Sequence, residues 1–169
     1  MHDLSIRDAT VVDVPALCVI RAARAQHEAK LGEAVAGTAR FLVALSGGDI
    51  VAFASVFLRA PVTGPPKSHT PKLSDCFVAP GHRSLGIGRA LVSAREQIAR
   101  DAGCEHLYVS IDPVENPRWL NFFHPRGYQP LEPEPYRKRE PRHSEDGSRE
   151  EVLAWRLDLV VDLRRSEPV

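Results

Sequence analysis

One stretch constrains the fold more than any other: Leu73-Ser-Asp-Cys-Phe-Val-Ala-Pro-Gly-His-Arg-Ser-Leu-Gly-Ile-Gly-Arg-Ala-Leu91. Its first six residues are a short, largely apolar run that Ala79-Pro80-Gly81 must stop, which reads as a strand. After a brief turn, Ile87, Leu91, Ala94, Ile98 and Ala102 recur at intervals of four, three, four and four, opposite Arg89, Ser93, Glu96 and Arg100. That spacing predicts an amphipathic helix, ended by Gly103.

The flanking segments predict more of both element types. Leu4-Ser5-Ile6-Arg7 alternates as a short strand, and Asp13 ahead of Val14-Pro15 opens a helix carrying Val14, Leu17, Cys18, Ala22 and Ala25. The helical pattern dissolves over residues 32–38, and two apolar runs, 40–45 and 50–58, flank Ser46-Gly47-Gly48-Asp49 as a hairpin. Four prolines make residues 61–71 a loop. Leu107, Val109 and Ile111 alternate with polar neighbours as a further strand, and residues 116–123 read as a short helix limited by Pro125. Residues 132–148, rich in proline and charge, read as irregular, and Leu153, Trp155, Leu157 and Leu159 form a last strand. With no repeat or linker, the chain reads as a single α/β (α+β) domain over residues 1–169, its core spanning about 4–160.

Charge removes whole classes of partner. Twenty-two basic residues balance twenty-two acidic ones, so no long-range field draws nucleic acid or an anionic membrane. No apolar run reaches the length of a membrane span, and Met1-His2-Asp3 lacks signal-peptide character, so a soluble cytoplasmic protein is expected. Cys18, Cys76 and Cys104 form no Cys-x-x-Cys pair and the seven histidines form no cluster, so no metal site is expected.

The chemistry is expected in the turn between the strand and the long helix. Unpaired N–H groups at a helix start hold phosphate oxygens, and glycines let the backbone approach them. Arg83 and Arg89 add guanidinium groups suited to phosphate. A P-loop needs Gly-x-x-x-x-Gly-Lys-Ser/Thr, which is absent. A dinucleotide fingerprint has Gly86-x-Gly88 and Asp112 at a fitting distance, but Leu91 at its third glycine and too little chain beyond for a second half.

The third design fits best. Arg83-x-x-Gly86-x-Gly88 resembles the pyrophosphate-binding motif of the GCN5-related N-acetyltransferase (GNAT) family, and Asn116, Phe123, Gly127 and Tyr128 stand at the spacing of that family's second signature. The coarse order of elements matches over nearly the whole chain. The resemblance implies a mixed, mostly antiparallel sheet with two splayed parallel strands in the middle, flanked by helices. It further implies acetyl-coenzyme A as donor, a small-molecule or peptide amine as acceptor, direct transfer without a covalent enzyme intermediate, and a homodimer. For the donor it places the backbone of Phe77 and Val78 beside pantetheine, Arg83, Ser84, Leu85, Gly86, Ile87, Gly88 and Arg89 around pyrophosphate, and Asn116 and Phe123 near the coenzyme arm.

Phe123 stands where the family often has a tyrosine that protonates the leaving thiolate. A phenyl ring transfers no proton. Three readings stay open: departure unassisted or through water, substitution by His124, or a non-catalytic acyl-coenzyme A sensor. Transfer of a larger acyl group is a further alternative. Asp75 is the candidate base, Asp112 a weaker one, and His82 reads as an exposed turn residue. Residues 25–38, 59–72 and 131–148, expected to border the acceptor, carry both charge signs and give it no polarity.

Overall fold

The computed structural model describes residues 3–62, 69–144 and 146–165. Its strands are β1 (Leu4–Asp8), β2 (Ala39–Ser46), β3 (Asp49–Phe57), β4 (Lys72–Val78), β5 (His106–Ile111), β6 (Gln129–Pro130), β7 (Tyr136–His143) and β8 (Arg149–Asp162). Its longer helices are α1 (Val14–Ile20), α2 (Arg24–Val35), α3 (Ile87–Asp101) and α4 (Arg118–Phe123). The sheet runs β1-β2-β3-β4-β5-β8-β6, with β7 also paired to β8. All these pairings are antiparallel except β4 with β5.

Alternation along the strands sorts side chains onto two covered faces. Leu42, Ala44, Ala52 and Ala54 pack on Ile87 and Leu91 of α3, whereas Phe41, Val43 and Phe53 pack on Leu17 of α1. A third cluster joins Leu73, Leu107, Val109, Leu157 and Leu159 to Val92 and Ala99 of α3 and to Phe123 and Tyr128. Residues buried from both sides explain why the hairpin strands read as continuous apolar runs rather than alternating ones.

Two expectations are corrected. The single helix predicted from Asp13 through Ala25 is broken: Arg21 is extended, with φ −151° and ψ 115°, and α2 then continues through Gly32 to Val35. The break lets the buried Arg21 side chain cross to β4, a tertiary demand that helical periodicity does not contain. The irregular segment contains β7, and β8 is twice as long as predicted. Strand β7 is an exposed edge of charged residues, so no apolar alternation marks it; ion pairing of Glu140 with Arg156 and stacking of Arg137 on Trp155 tie it to β8 instead. Pro141 is tolerated there because edge strands tolerate a missing donor. The loop predicted over 61–71 lies mostly outside the described residues.

The turn into α1 is locked by Asp13, which accepts both terminal guanidinium nitrogens of Arg7 at 2.8 Å each and the Thr10 N–H at 2.8 Å. The hydrogen bonds from Arg7 are the main reason its pKa falls from 3.8 to about 2. A depressed carboxylate pKa stabilises the fold above the unfolded value, and that contribution disappears as pH falls through the folded value. Asp13→Asn is therefore expected to cost about 2 kcal/mol at pH 7, with the gap from wild type closing between about pH 4 and 2 in thermal melts.

Candidate active site

Strands β4 and β5 stay in register only at Lys72 with Tyr108 and Leu73 with Val109. Beyond that point β4 follows β3 to Val78 and β5 follows β8 to Ile111, so the two central strands part. A bulge marks the departure. Ser74 pairs with Ser55 and Cys76 with Ala54, leaving Asp75 as the extra residue at φ +36°. Bulges bend and twist a strand, here turning the β4 edge away from β5.

Two clamps hold the bulge. On the α1–α2 side, Arg21 donates to both Asp75 oxygens, at 3.1 and 2.7 Å, Lys30 donates to one of them, and the Arg21 guanidinium lies 4.7 Å from the centre of the Phe53 ring. On the α3 side, the buried Arg95 donates to the carbonyls of Ser55 at 2.9 Å, Ser74 at 3.2 Å and Leu91 at 3.1 Å. Arg95 was not legible as a functional residue: it occupies an inward position of α3, and only the bulge's orphaned carbonyls explain it. Asp75 is half-buried, and its desolvation opposes ionisation, but the charges and hydrogen bonds of Lys30 and Arg21 prevail and hold its pKa well below the usual carboxylate range. A carboxylate so held is a weak proton acceptor at neutral pH.

The chain leaves β4 through one 3-10 turn, Pro80–His82, then Arg83 in extended geometry, Ser84 at φ +64° and Gly86 at φ +82°. The first bond of α3 runs from the Ala90 N–H to the Gly86 carbonyl at 3.0 Å, so the N–H groups of Ile87, Gly88 and Arg89 precede it. A Cβ on Gly86 or Gly88 would meet no atom within 4 Å, so the cradle is open. Ile87 anchors it by its buried side chain, while Ser84 and Leu85 are exposed. Arg83 folds back, its Nε donating to the Val78 carbonyl at 2.9 Å and its guanidinium 5.5 Å from the Phe77 ring centre. Arg89 and Arg126 lie 5.5 and 5.6 Å from the centre of Phe122, at a groove of about 830 Å³ between α3 and α4 that also takes in Arg100. This groove shares Arg89 with the first turn of α3 and so lies beside the cradle.

Residues after β5 divide into interior and rim. The Asp112 carboxylate accepts the N–H groups of Val114 and Glu115 at 2.9 and 2.8 Å, a turn-forming role. Asn116 is half-buried in the same turn, its N–H on the Asp112 carbonyl at 3.2 Å. Phe123 is only 4% exposed and packs edge-on to Phe122 and Tyr128. Its aromatic neighbours Trp119 and Phe122 pack against the same core. His124 is exposed beyond it. Tyr128 is no replacement acid: its hydroxyl is buried and donates to Glu96 at 3.1 Å, and burial pushes its pKa far up. At the opposite end, the β7–β8 tip presses on the break between α1 and α2, where a Cβ on Gly147 would lie 1.9 Å from the Ala22 carbonyl oxygen.

Residues 13–128 match the model of the Acetyltransferase (GNAT) family. The chain belongs to that family. It is 34% identical over 77 residues to the streptothricin acetyltransferase of Streptomyces lavendulae, covering 46% of this chain and 38% of that one. It is 36% identical over 110 residues to the aminoglycoside N(6')-acetyltransferase type 1 of Stenotrophomonas maltophilia, covering 61% of this chain and 72% of that one. The ribosomal-protein-alanine N-acetyltransferase of Brucella melitensis shares the fold at a TM-score of 0.69 and 21% identity, over 94% of this chain and 99% of that one. A GNAT acetyltransferase from Elizabethkingia anophelis with acetyl-coenzyme A bound matches at 0.60 and 13%, over 95% and 98%.

GNAT acetyltransferases use acetyl-coenzyme A, and the geometry suits such a donor: an open cradle at one end of a strand gap along which β4 has no β5 partner past Leu73. No cluster able to hold a metal ion exists among the described residues, and no described helix is long and apolar enough to cross a membrane. The packing around Phe123 also decides what a restored family tyrosine would do. Phe123→Tyr is expected to leave turnover unchanged and to cost about 1–3 kcal/mol, because a hydroxyl would enter a close-packed apolar cluster; urea denaturation and an acetyl-transfer assay check both halves.

Proposed function

We propose that the chain transfers an acetyl group from acetyl-coenzyme A to a primary amine of a small molecule or peptide. The observation that carries this reading is the parting of β4 and β5 at the Asp75 bulge, directly ahead of the open cradle at the start of α3. In this reading the N–H groups of residues 87–89, with Arg83 and Arg89, bind the pyrophosphate, and the groove beside Arg89 and Arg126 takes the nucleotide end. Pantetheine lies along the β4 edge at Phe77 and Val78 as an added strand would, where an N–H polarises the thioester oxygen. Asn116 borders the arm, and Phe123 supports it from the core without touching a proton. Asp75, the base suggested by sequence, serves instead to hold the gap open through Arg21 and Lys30.

The acceptor enters on the α1–α2 face, under the β7–β8 tip. The two curated relatives act, by name, on streptothricin and on aminoglycosides, so amine-bearing compounds of those kinds belong in the first panel. Phe123 favours one other reading, an acyl-coenzyme A sensor without turnover.

Calorimetric titration with acetyl-coenzyme A, desulfo-coenzyme A and NAD, followed by mass detection of acetylated amines, separates these. Binding of the first two with acetylation of an amine is the expected result; binding without product for any amine supports the sensor, and binding of NAD alone overturns both.

A further inference from the structure

With Asp75 held as an ion-paired carboxylate, the reaction lacks a base on β4, and a different group of titratable side chains lies across the gap. In β5 and β8, Leu107, Val109, Leu157 and Leu159 face the core under α3, so Tyr108, Ser110 and Asp158 face the other way, onto the face that carries Asp75 and Arg21. Ser110 and Asp158 are direct cross-strand partners, and Ser110 is the first β5 residue past the last pair shared with β4. Asp158 therefore borders the opening on the side opposite the bulge.

Three side chains converge there. The Tyr136 hydroxyl donates to Asp158 Oδ2 at 2.9 Å, and His69 Nε2 lies 4.0 Å from the same oxygen. The His69 ring stacks on Tyr108, with centroids 5.0 Å apart and planes 23° apart. The Asp158 side chain is 11% exposed, whereas that of His69 is 41% exposed and accessible to an incoming molecule. Asp158 Oδ1 is buried and has no hydrogen-bond partner among the described residues, which is unusual for a carboxylate. The imidazole thus stands within ion-pair range of a carboxylate that a separate hydroxyl anchors, with its ring braced on Tyr108, and a histidine placed so at the gap can serve as a general base.

We propose that His69 accepts the proton of the acceptor's ammonium group, and that Asp158, anchored by Tyr136, positions the His69 ring. The inference rests on the acetyl-transfer reading. The ammonium R–NH3+ gives one proton to neutral His69, directly or through a water, and the freed lone pair forms the C–N bond to the thioester carbon. The C–S bond then breaks with its electron pair passing to sulfur, the thiolate takes one proton from the attacking nitrogen, and the imidazolium returns its proton to solvent. The products are the amide, free coenzyme A and one proton. The other charged and titratable groups around the cluster are Tyr108 on β5, its cross-strand partner Lys72 on β4, and Arg156 on β8, whose Nε donates to Glu140 of β7 at 2.9 Å. Asp158 lies within 4.0 Å of the imidazole, and Glu140 is engaged by Arg156.

The test compares wild type, His69→Gln and Asp158→Asn, using acetyl-coenzyme A with spermidine, an aminoglycoside and an alanine-ended peptide as acceptors. His69→Gln is expected to lower kcat by about 100-fold or more while the Kd for acetyl-coenzyme A stays within about twofold. Asp158→Asn is expected to lower kcat by about tenfold while KM and the Kd for acetyl-coenzyme A stay within about twofold, because an imidazole that is no longer aligned meets the ammonium less often. A merely structural Asp158 would change stability and leave the kcat of the folded enzyme in place. Wild type that transfers acetyl while His69→Gln keeps its rate, or an unchanged kcat in Asp158→Asn, overturns this inference alone. Wild type that binds acetyl-coenzyme A yet acetylates no amine, or binds none, overturns it together with the acetyl-transfer reading.

Discussion

Gly88→Asp is expected to weaken acetyl-coenzyme A binding by about 100-fold or more while leaving the melting temperature unchanged or slightly raised. The two halves of this result have one cause. Gly88 is the second residue of α3, ahead of the first intrahelical hydrogen bond, and a Cβ there meets nothing within 4 Å. A carboxylate at that position interacts favourably with the helix N-terminus, by about 0.3–1 kcal/mol, and so occupies the field that would otherwise hold a phosphate. It repels the pyrophosphate and competes for the same N–H groups. Gly86→Asp is the informative contrast: Gly86 sits at φ +82°, where a side chain is strained, so that variant loses stability as well as affinity. Calorimetry paired with thermal melts separates the two, and Gly88→Asp with wild-type affinity would remove the pyrophosphate assignment.

Arg95→Leu is expected to be the most destabilising single change in the site, about 3 kcal/mol, or roughly 6–12 °C in Tm. Arg95 is 2% exposed and hydrogen-bonds carbonyls of β3, β4 and α3. Leucine fills most of the volume, so the loss is chiefly that of donors to the Ser55 and Ser74 carbonyls beside the bulge. Desolvating a guanidinium has its own cost, which burial expresses as a lowered Arg95 pKa, and its removal offsets part of the loss. The strand gap should also relax, since β4 is no longer held from the α3 side, and acetyl-coenzyme A affinity should fall in the folded fraction. A melting temperature within a degree of wild type would show that the bulge holds without Arg95.

The elements that read correctly from sequence are those with strong local signals. Strand β4, the turn at Gly86 and the apolar stripe of α3 are each specified within a few residues, by a short apolar run stopped at Pro80, by glycine at a left-handed position and by helical spacing. The hairpin of β2 and β3 was equally plain, because Gly47 and Gly48 supply the positive φ its turn requires. Strand β7 was invisible because its stability comes from β8 and from ion pairs, neither of which leaves an apolar period in an eight-residue charged segment.

The candidate site divides along the same line. The sequence by itself determined the α/β architecture, the glycine-bearing turn into α3 and the family, because backbone geometry and short-range spacing carry all three. It also pointed to Asp75 as a functional position without indicating its state. Only the tertiary structure decided that Asp75 is the extra residue of a bulge held by Arg21 and Lys30, that Arg95 fastens the other side, that Phe123 belongs to the core, and that His69, Tyr136 and Asp158 meet. His69 and Asp158 alone come from positions 89 residues apart in the chain. A side chain's charge state depends on what surrounds it in space, and no local pattern encodes a neighbour brought in by another strand.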